Sequence, residues 1–330
     1  MGVEPDNTPS PVAPRRLDVR VVLALVACAV VAGRMAGVVR EQQNFGLDFG
    51  VFHAGGALIR SSGYAAAYDP ARFSRYFESN YYPSLSSGET VSHFISTPTF
   101  GWFAQGLAVI PFSASLSMWL VAGTVLVVPA VRLLELPARW IPIVLIAPAM
   151  VANIALAQTG PFVLLVFVTI HRFAREERWI PAGLVAGLLI LKPALALGWG
   201  IWWLVQARRC WQALAAAILS AAVLSVPTVL GGFSAWRSFF DAMRYRVDVE
   251  AAWSQQSPSL PEFAKLLTPN SGSALTLVWW IVGFLTAALL IHLATRRWKG
   301  DAELLSGVAV VASVWASPHL LVYDTLVLLV

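Results

Sequence analysis

From residue 21 to the last residue, apolar runs follow one another with only short polar loops between them, and arginines recur in those loops. Runs of this length and number are the signature of a chain that crosses a bilayer repeatedly, and they exclude a soluble domain carrying one anchor. Composition agrees: 58% of the 330 residues are hydrophobic and 12% charged, against about 25% charged in a soluble domain, and mean hydropathy is +0.68. In lipid every backbone polar group must be satisfied internally, and the fold class expected is an all-α polytopic bundle. The net charge of +5 is spread over short loops as the positive-inside rule requires, and does not mark a nucleic-acid binder. Cys28 falls inside the first run and Cys210 in a basic loop, so neither a disulfide nor a metal cluster is expected.

The arginines orient the chain. Arg15, Arg16 and Arg20, then Arg132 and Arg139, then Arg172, Arg175 and Arg178, then Arg208 and Arg209, and finally Arg296, Arg297 and Lys299 are expected on the cytoplasmic side. Residues 1–20 form a proline- and arginine-rich tail, and 21–39 a retained first span rather than a cleaved signal. An outer loop covers about 40–93. Residues 94–112, broken by Pro98, Gly101, Gly106 and Pro111, are expected to form a re-entrant hairpin or a tilted, broken segment. Spans are expected at 116–131, 140–156, 162–172, 180–191, 194–205 and 211–230, followed by a second outer loop at 231–273 and spans at 274–293 and 304–315. Several have far fewer than the ~20 apolar residues a crossing needs, which implies a cavity reaching down from the outer face. The residues after Pro318 are too few to cross ~30 Å of hydrocarbon, and the expectation is that residues 21–330 form one transmembrane domain, C-terminally truncated.

An acid beside a membrane boundary is costly unless wetted, paired or used, and Asp48 lies just beyond the first apolar run. Phe49, Phe52, Leu58 and Ile59 follow it at helical spacing, a pattern suited to a short interfacial helix. Asp48 is either the N-cap of that helix or a general base. Downstream, Asp69-Pro70 reads as an N-cap followed by proline at the first helical position. The stripe Phe73, Tyr76, Phe77 and Tyr81 fits an interface or a core, and its tyrosines favour the interface. Dispersed glycines within spans read as close-packing positions.

With the arginines inside, Asp48, His53, Gln158, Lys192, His319 and Asp324 all fall at or just within the outer face. No metal motif, Walker loop, nucleotide fingerprint or Ser-His-Asp pattern is present. Lys192, one of three lysines in the chain, is a snorkelling side chain or a cation for a phosphate. Gln158 is a helix-end hydrogen bonder or a substrate ligand, and His319 a satisfied buried histidine or a donor. His171 and His292, near the cytoplasmic side, read as structural.

Taken in order, Asp48-Phe49-x-Val51-Phe52, Gly63 leading into Tyr68-Asp69, Gln158-Thr159-Gly160-Pro161, Leu191-Lys192-Pro193 and Ser317-Pro318-His319 resemble the GT-C glycosyltransferase superfamily. Within it the sequence is similar to the bacterial polyprenyl-phosphate-mannose-dependent mannosyltransferases of the phosphatidylinositol-mannoside type. Where some related sequences carry Tyr-Pro-Pro, this chain has Ile95-Ser96-Thr97-Pro98. The resemblance implies a multi-span enzyme at the plasma (inner) membrane with its active site facing the periplasm or cell exterior. It assigns the catalytic base to Asp48, and substrate contacts to His53, Gln158, Lys192, His319 and Asp324, with Lys192 and His319 near the departing lipid phosphate. Its expected partners are a polyprenyl-phosphate-linked sugar, with mannose the expected sugar, a lipid or glycolipid acceptor and membrane lipids. No cofactor, metal or nucleic acid is expected. The rival class is a transporter or flippase of a lipid-linked substrate, which also uses broken helices and buried ionisable groups; no inverted repeat supports it.

Overall fold

The computed structural model describes residues 45–81, 93–230, 233–249, 259–260, 273–298, 301–317 and 322–329. The expected first span, the basic N-terminal tail, Cys28 and His319 lie outside them. The described residues are helical and contain no strand, and the chain is an all-α polytopic membrane protein. In chain order the helices are α1 (Leu47–Ser62), α2 (Tyr64–Tyr68), α3 (Pro70–Asn80), α4 (Pro98–Leu107), α5 (Phe112–Leu133), α6 (Trp140–Ile146), α7 (Pro148–Leu156) and α8 (Gly160–Arg175). They continue with α9 (Trp179–Ala186), α10 (Leu197–Val205), α11 (Ala207–Leu230), α12 (Ser234–Val249), α13 (Ser273–Arg297) and α14 (Ala302–Ala316). Among the described residues three stretches, Phe112–Leu133, Ala207–Leu230 and Leu277–Arg297, are long and apolar enough to cross a membrane.

Among the described residues, the turns after α5, α8 and α10 meet through their charged side chains at one end of the bundle. Glu135 pairs with Arg172 and Arg175, Glu176 with Arg172 and Arg178, and Glu177 with Arg209. The bond from Arg172 holds the Glu135 carboxyl below its usual range. Exposed pairs of this kind add little stability, but they register the turns after α5, α8 and α10 against one another. Nearby, His171 Nδ1 lies 2.5 Å from Ser306 Oγ, a buried tie between α8 and α14.

Residues 179–205 depart from ordinary spans. After α9 the chain tightens into a 3-10 stretch, Gly187–Leu191, turns at Lys192, passes through a second, Pro193–Ala196, and returns as α10. Each arm is about 20 Å long, short of the ~30 Å hydrocarbon thickness. The returning arm is anchored by Trp199, Trp202 and Trp203, each 1% exposed, whereas the first arm buries one face and leaves Ile180, Leu184 and Leu188 exposed. Gly198 lets α10 approach α14 so closely that a Cβ there would lie 1.8 Å from the Ala309 carbonyl oxygen.

Three expectations need correction. Residues 140–156 are two helices, because Pro148 opens a new helix after the extended Ala147. The apolar face of α1 packs on protein and not on lipid: Phe49, Phe52, Leu58 and Ile59 are all buried, in a cluster with Phe100 of α4 and Trp119 of α5. The aromatic stripe of α3 belongs to the same cluster through Phe73 and Phe77, both fully buried. Its tyrosines, Tyr76 and Tyr81, pack partly buried against the rim of that cluster. By contrast, Asp69 caps α3 as expected, its Oδ1 accepting from Arg72 N–H at 2.9 Å, with Pro70 next. Residues 94–112 hold one short helix, α4, capped by Thr97, in keeping with a broken segment.

Candidate active site

At the end of α8 away from its arginines, α1 begins. Gly46, with φ 70, turns the chain into the helix, and its N–H donates to the Ala155 carbonyl at 2.8 Å; a residue with a Cβ is disfavoured in that conformation. Gly46 is the N-cap and makes no side-chain cap bond, so Asp48, second in the helix, is not the cap. Its carboxylate instead accepts from Gln158 Nε2 at 2.6 Å, across 110 positions of sequence. The first turn of a helix favours a negative charge, and a charge-assisted bond this short is a strong one.

The amide of Gln158 has a defined orientation. Its Oε1 accepts from Thr159 N–H at 3.1 Å, so the NH₂ group must face Asp48. The Gln158 carbonyl accepts from Trp119 Nε1 at 3.3 Å. Gln158 thus bonds at a helix end, as one of its two readings expected, and presents a donor to the acid.

His53 sits further along α1. Its Nε2 lies 2.9 Å from the Ile110 carbonyl and its Nδ1 2.7 Å from Tyr81 Oη. A carbonyl only accepts, so Nε2 carries the proton and Nδ1 accepts from the Tyr81 hydroxyl. Burial, opposed by the bond to Ile110, lowers the imidazole pKa from its ordinary 6.5. Burial likewise pushes the Tyr81 phenol up to about 12. With both ring nitrogens engaged, His53 ties α1 to the end of α3 and to the turn before α5.

Lys192, at the hairpin apex, is ion-paired with Asp324 of the 3-10 stretch Val322–Leu329. The Asp324 side chain is 4% exposed and that of Lys192 25%. The hairpin is tethered beside it, Thr97 Oγ1 donating to the Ile190 carbonyl at 3.1 Å. Tyr68 Oη in turn donates to the Ser96 carbonyl at 2.7 Å. The Ile95-Ser96-Thr97-Pro98 segment thus braces the lysine.

Among the sequence-expected residues, Asp48 meets Gln158 and Lys192 meets Asp324. Leu191, next to Lys192, packs on the same cluster as Phe49 and Phe52, so both pairs border one aromatic core. His53 faces Tyr81 and Ile110. Among the described residues no group of three His, Cys, Asp or Glu side chains comes together as metal ligands would. Sequence reasoning named Thr97 and Tyr81 without foreseeing these bonds, and passed over Asn153. The last, an amide alone in an apolar run seven residues before Gly160, was a readable signal.

An all-α bundle with arginine-paired turns at one end, and with a carboxylate–amide pair and a lysine at a broken helix beyond the other, defines a membrane protein with a polar site built between helix ends. A family model, glycosyltransferase family 87, matches residues 94–322, more than half of the chain. The chain belongs to that family and is a membrane glycosyltransferase. The matched region contains Gln158, Lys192 and His319; Asp48 and His53 precede it and Asp324 follows it. Comparison with curated proteins and with solved structures gave no match.

Proposed function

We propose that this glycosyltransferase is of GT-C type, a hexosyltransferase that takes mannose from a polyprenyl-phosphate donor and attaches it to a lipid or glycolipid acceptor at the outer face of the plasma membrane. The observation that carries the reading is the Asp48–Gln158 contact. An acid in the first turn of a helix, hydrogen-bonded by the amide of Gln158, is suited to accept a proton. The acceptor hydroxyl attacks the anomeric carbon as its proton passes to Asp48. The bond from that carbon to the phosphate oxygen breaks, and its electron pair leaves with the lipid phosphate.

Lys192 supplies the positive charge that the departing phosphate needs, with Asp324 as its counter-ion in the absence of substrate. His319 is proposed as a second donor there. His53 acts through α1, positioning Asp48 rather than touching substrate. A cavity of about 220 Å³ opens along the hairpin, lined by Leu189, Ile190 and Pro193 on either side of Lys192 and backed by Trp199, Trp203 and Leu214. Its apolar lining supports a lipid chain whose head group reaches Lys192. Membership of a glycosyltransferase family weighs against the transporter reading. Residues 21–330 are proposed to form a single transmembrane domain.

Membranes containing the protein, given radiolabelled mannosyl phosphoryl polyprenol, are expected to form labelled glycolipid that control membranes do not. Labelling from GDP-mannose that is unaffected by blocking synthesis of the lipid-linked sugar would contradict the donor assignment.

A further inference from the structure

We infer that Asn153 is the positioning residue that sets the Asp48–Gln158 contact, an inference that rests on the proposed role of Asp48. Asn153 is 2% exposed and stands in an apolar helix, where an amide is tolerated only if bonded. Its Nδ2 donates to the Ala149 carbonyl at 2.7 Å, which fixes the side chain along α7. Its Oδ1 accepts from Gly160 N–H at 2.9 Å, and its backbone carbonyl accepts from Gln158 N–H at 2.8 Å. One residue thereby holds both sides of the turn that joins α7 to α8.

That turn needs holding. Ala157 has φ 53, a left-handed conformation that residues with a Cβ seldom adopt. Thr159 stands at the N-cap of α8 but makes no side-chain cap bond; Asn153 Oδ1, from the preceding helix, supplies the missing acceptor. The fit is tight, since a Cβ at Gly160 would lie 2.1 Å from Asn153 Oδ1. The same turn also anchors the other partner: Gly46, two residues before Asp48, donates to the Ala155 carbonyl. Asn153 therefore governs the backbone from which Gln158 projects and the edge against which α1 starts.

The test is amide hydrogen exchange on the full-length protein in detergent, with Asn153→Ala and Gly160→Ala. The second variant leaves Asn153 in the chain but drives its Oδ1 away. Both are expected to raise exchange about tenfold or more in residues 157–163 and also in residues 46–50, at the start of α1. Faster exchange confined to 157–163, with 46–50 unchanged, would overturn the proposal, because the clamp would then be merely local. A second readout is transfer from mannosyl phosphoryl polyprenol. Asn153→Ala is expected to lower kcat by about 10- to 100-fold, with the donor KM within about threefold. Asn153→Ala combined with Gln158→Leu should be no worse than the weaker single variant; a multiplicative loss would contradict the clamp. The exchange result does not depend on which reaction is catalysed. If it appears as expected while Asp48→Asn stays fully active, the role of Asp48 fails and the clamp stands.

Discussion

Replacing Lys192 by Met separates two roles that a lysine near a span end can have. Loss of the cation removes the Lys192 ammonium from beside Asp324, whose side chain is 4% exposed. Removing one member of a buried pair costs roughly 3–5 kcal/mol, whereas replacing both with apolar residues is often neutral. Lys192 is better hydrated, with 25% of its side chain exposed, and a lysine can swing its ammonium toward water. The two single variants should therefore differ. Lys192→Met is expected to lower stability by about 3 kcal/mol and Asp324→Asn by about 1 kcal/mol. The double variant Lys192→Met with Asp324→Leu should return to within about 1 kcal/mol of the parent. Unfolding in mixed micelles measures all three, and transfer from mannosyl phosphoryl polyprenol is assayed in parallel. If Lys192 meets the donor phosphate, the double variant is stable but inactive, and Lys192→Arg keeps part of the activity because the charge remains while its geometry changes. A stable double variant with parental activity would refute the phosphate role. A Lys192→Met protein as stable as the parent would refute the account of the pair.

Three further outcomes are expected. Gln158→Leu should reduce transfer by about 10- to 100-fold, and Gln158→Glu should be at least as damaging at pH 7, because a second carboxylate would stand where the amide now lies 2.6 Å from Asp48 and two such acids cannot both ionise readily; initial rates across pH check this. Burial lowers the folded-state pKa of His53 below 6.5, so the unfolded chain takes up the proton first. The stability contributed by neutral His53 is complete above that value and drains away as pH falls below it, and His53→Gln should flatten the fall in unfolding midpoint between pH 7.5 and 5.5. Cysteines replacing Ser86 and Asn270 should react with an impermeant thiol reagent in intact cells, and one replacing Glu176 should not; labelling of the last would reverse the proposed sidedness.

The two-ended organisation was legible because arginine is expensive within a bilayer, and Arg172, Arg175, Arg178 and Arg209 do gather at one end of the helices. The start of α3 at Asp69-Pro70 was legible because capping is local. Contacts between distant residues were not. Nothing within a window of sequence says that Gln158 faces Asp48, or that Asp324 meets Lys192 across 132 positions. On one continuous α-helix His319 and Asp324 would not closely share a face, but Val322–Leu329 is a 3-10 stretch, and helical-wheel reasoning does not apply to it. The α3 stripe misled because Phe and Tyr share a period while differing in destination: Phe73 and Phe77 are buried and Tyr81 is half-buried, reaching His53. Pro148, which splits 140–156, was a visible breaker outweighed by the apolar run around it.

The central claim is that Asp48 accepts the acceptor's proton, and the most direct measurement is transfer by Asp48→Asn. The amide is nearly isosteric, and its oxygen can still accept from Gln158 Nε2, so the fold and the contact should survive while basicity is lost. The expected result is a protein with a parental unfolding midpoint and donor KM, and transfer from mannosyl phosphoryl polyprenol reduced by at least about 100-fold. Near-parental turnover by a folded Asp48→Asn protein would contradict the account.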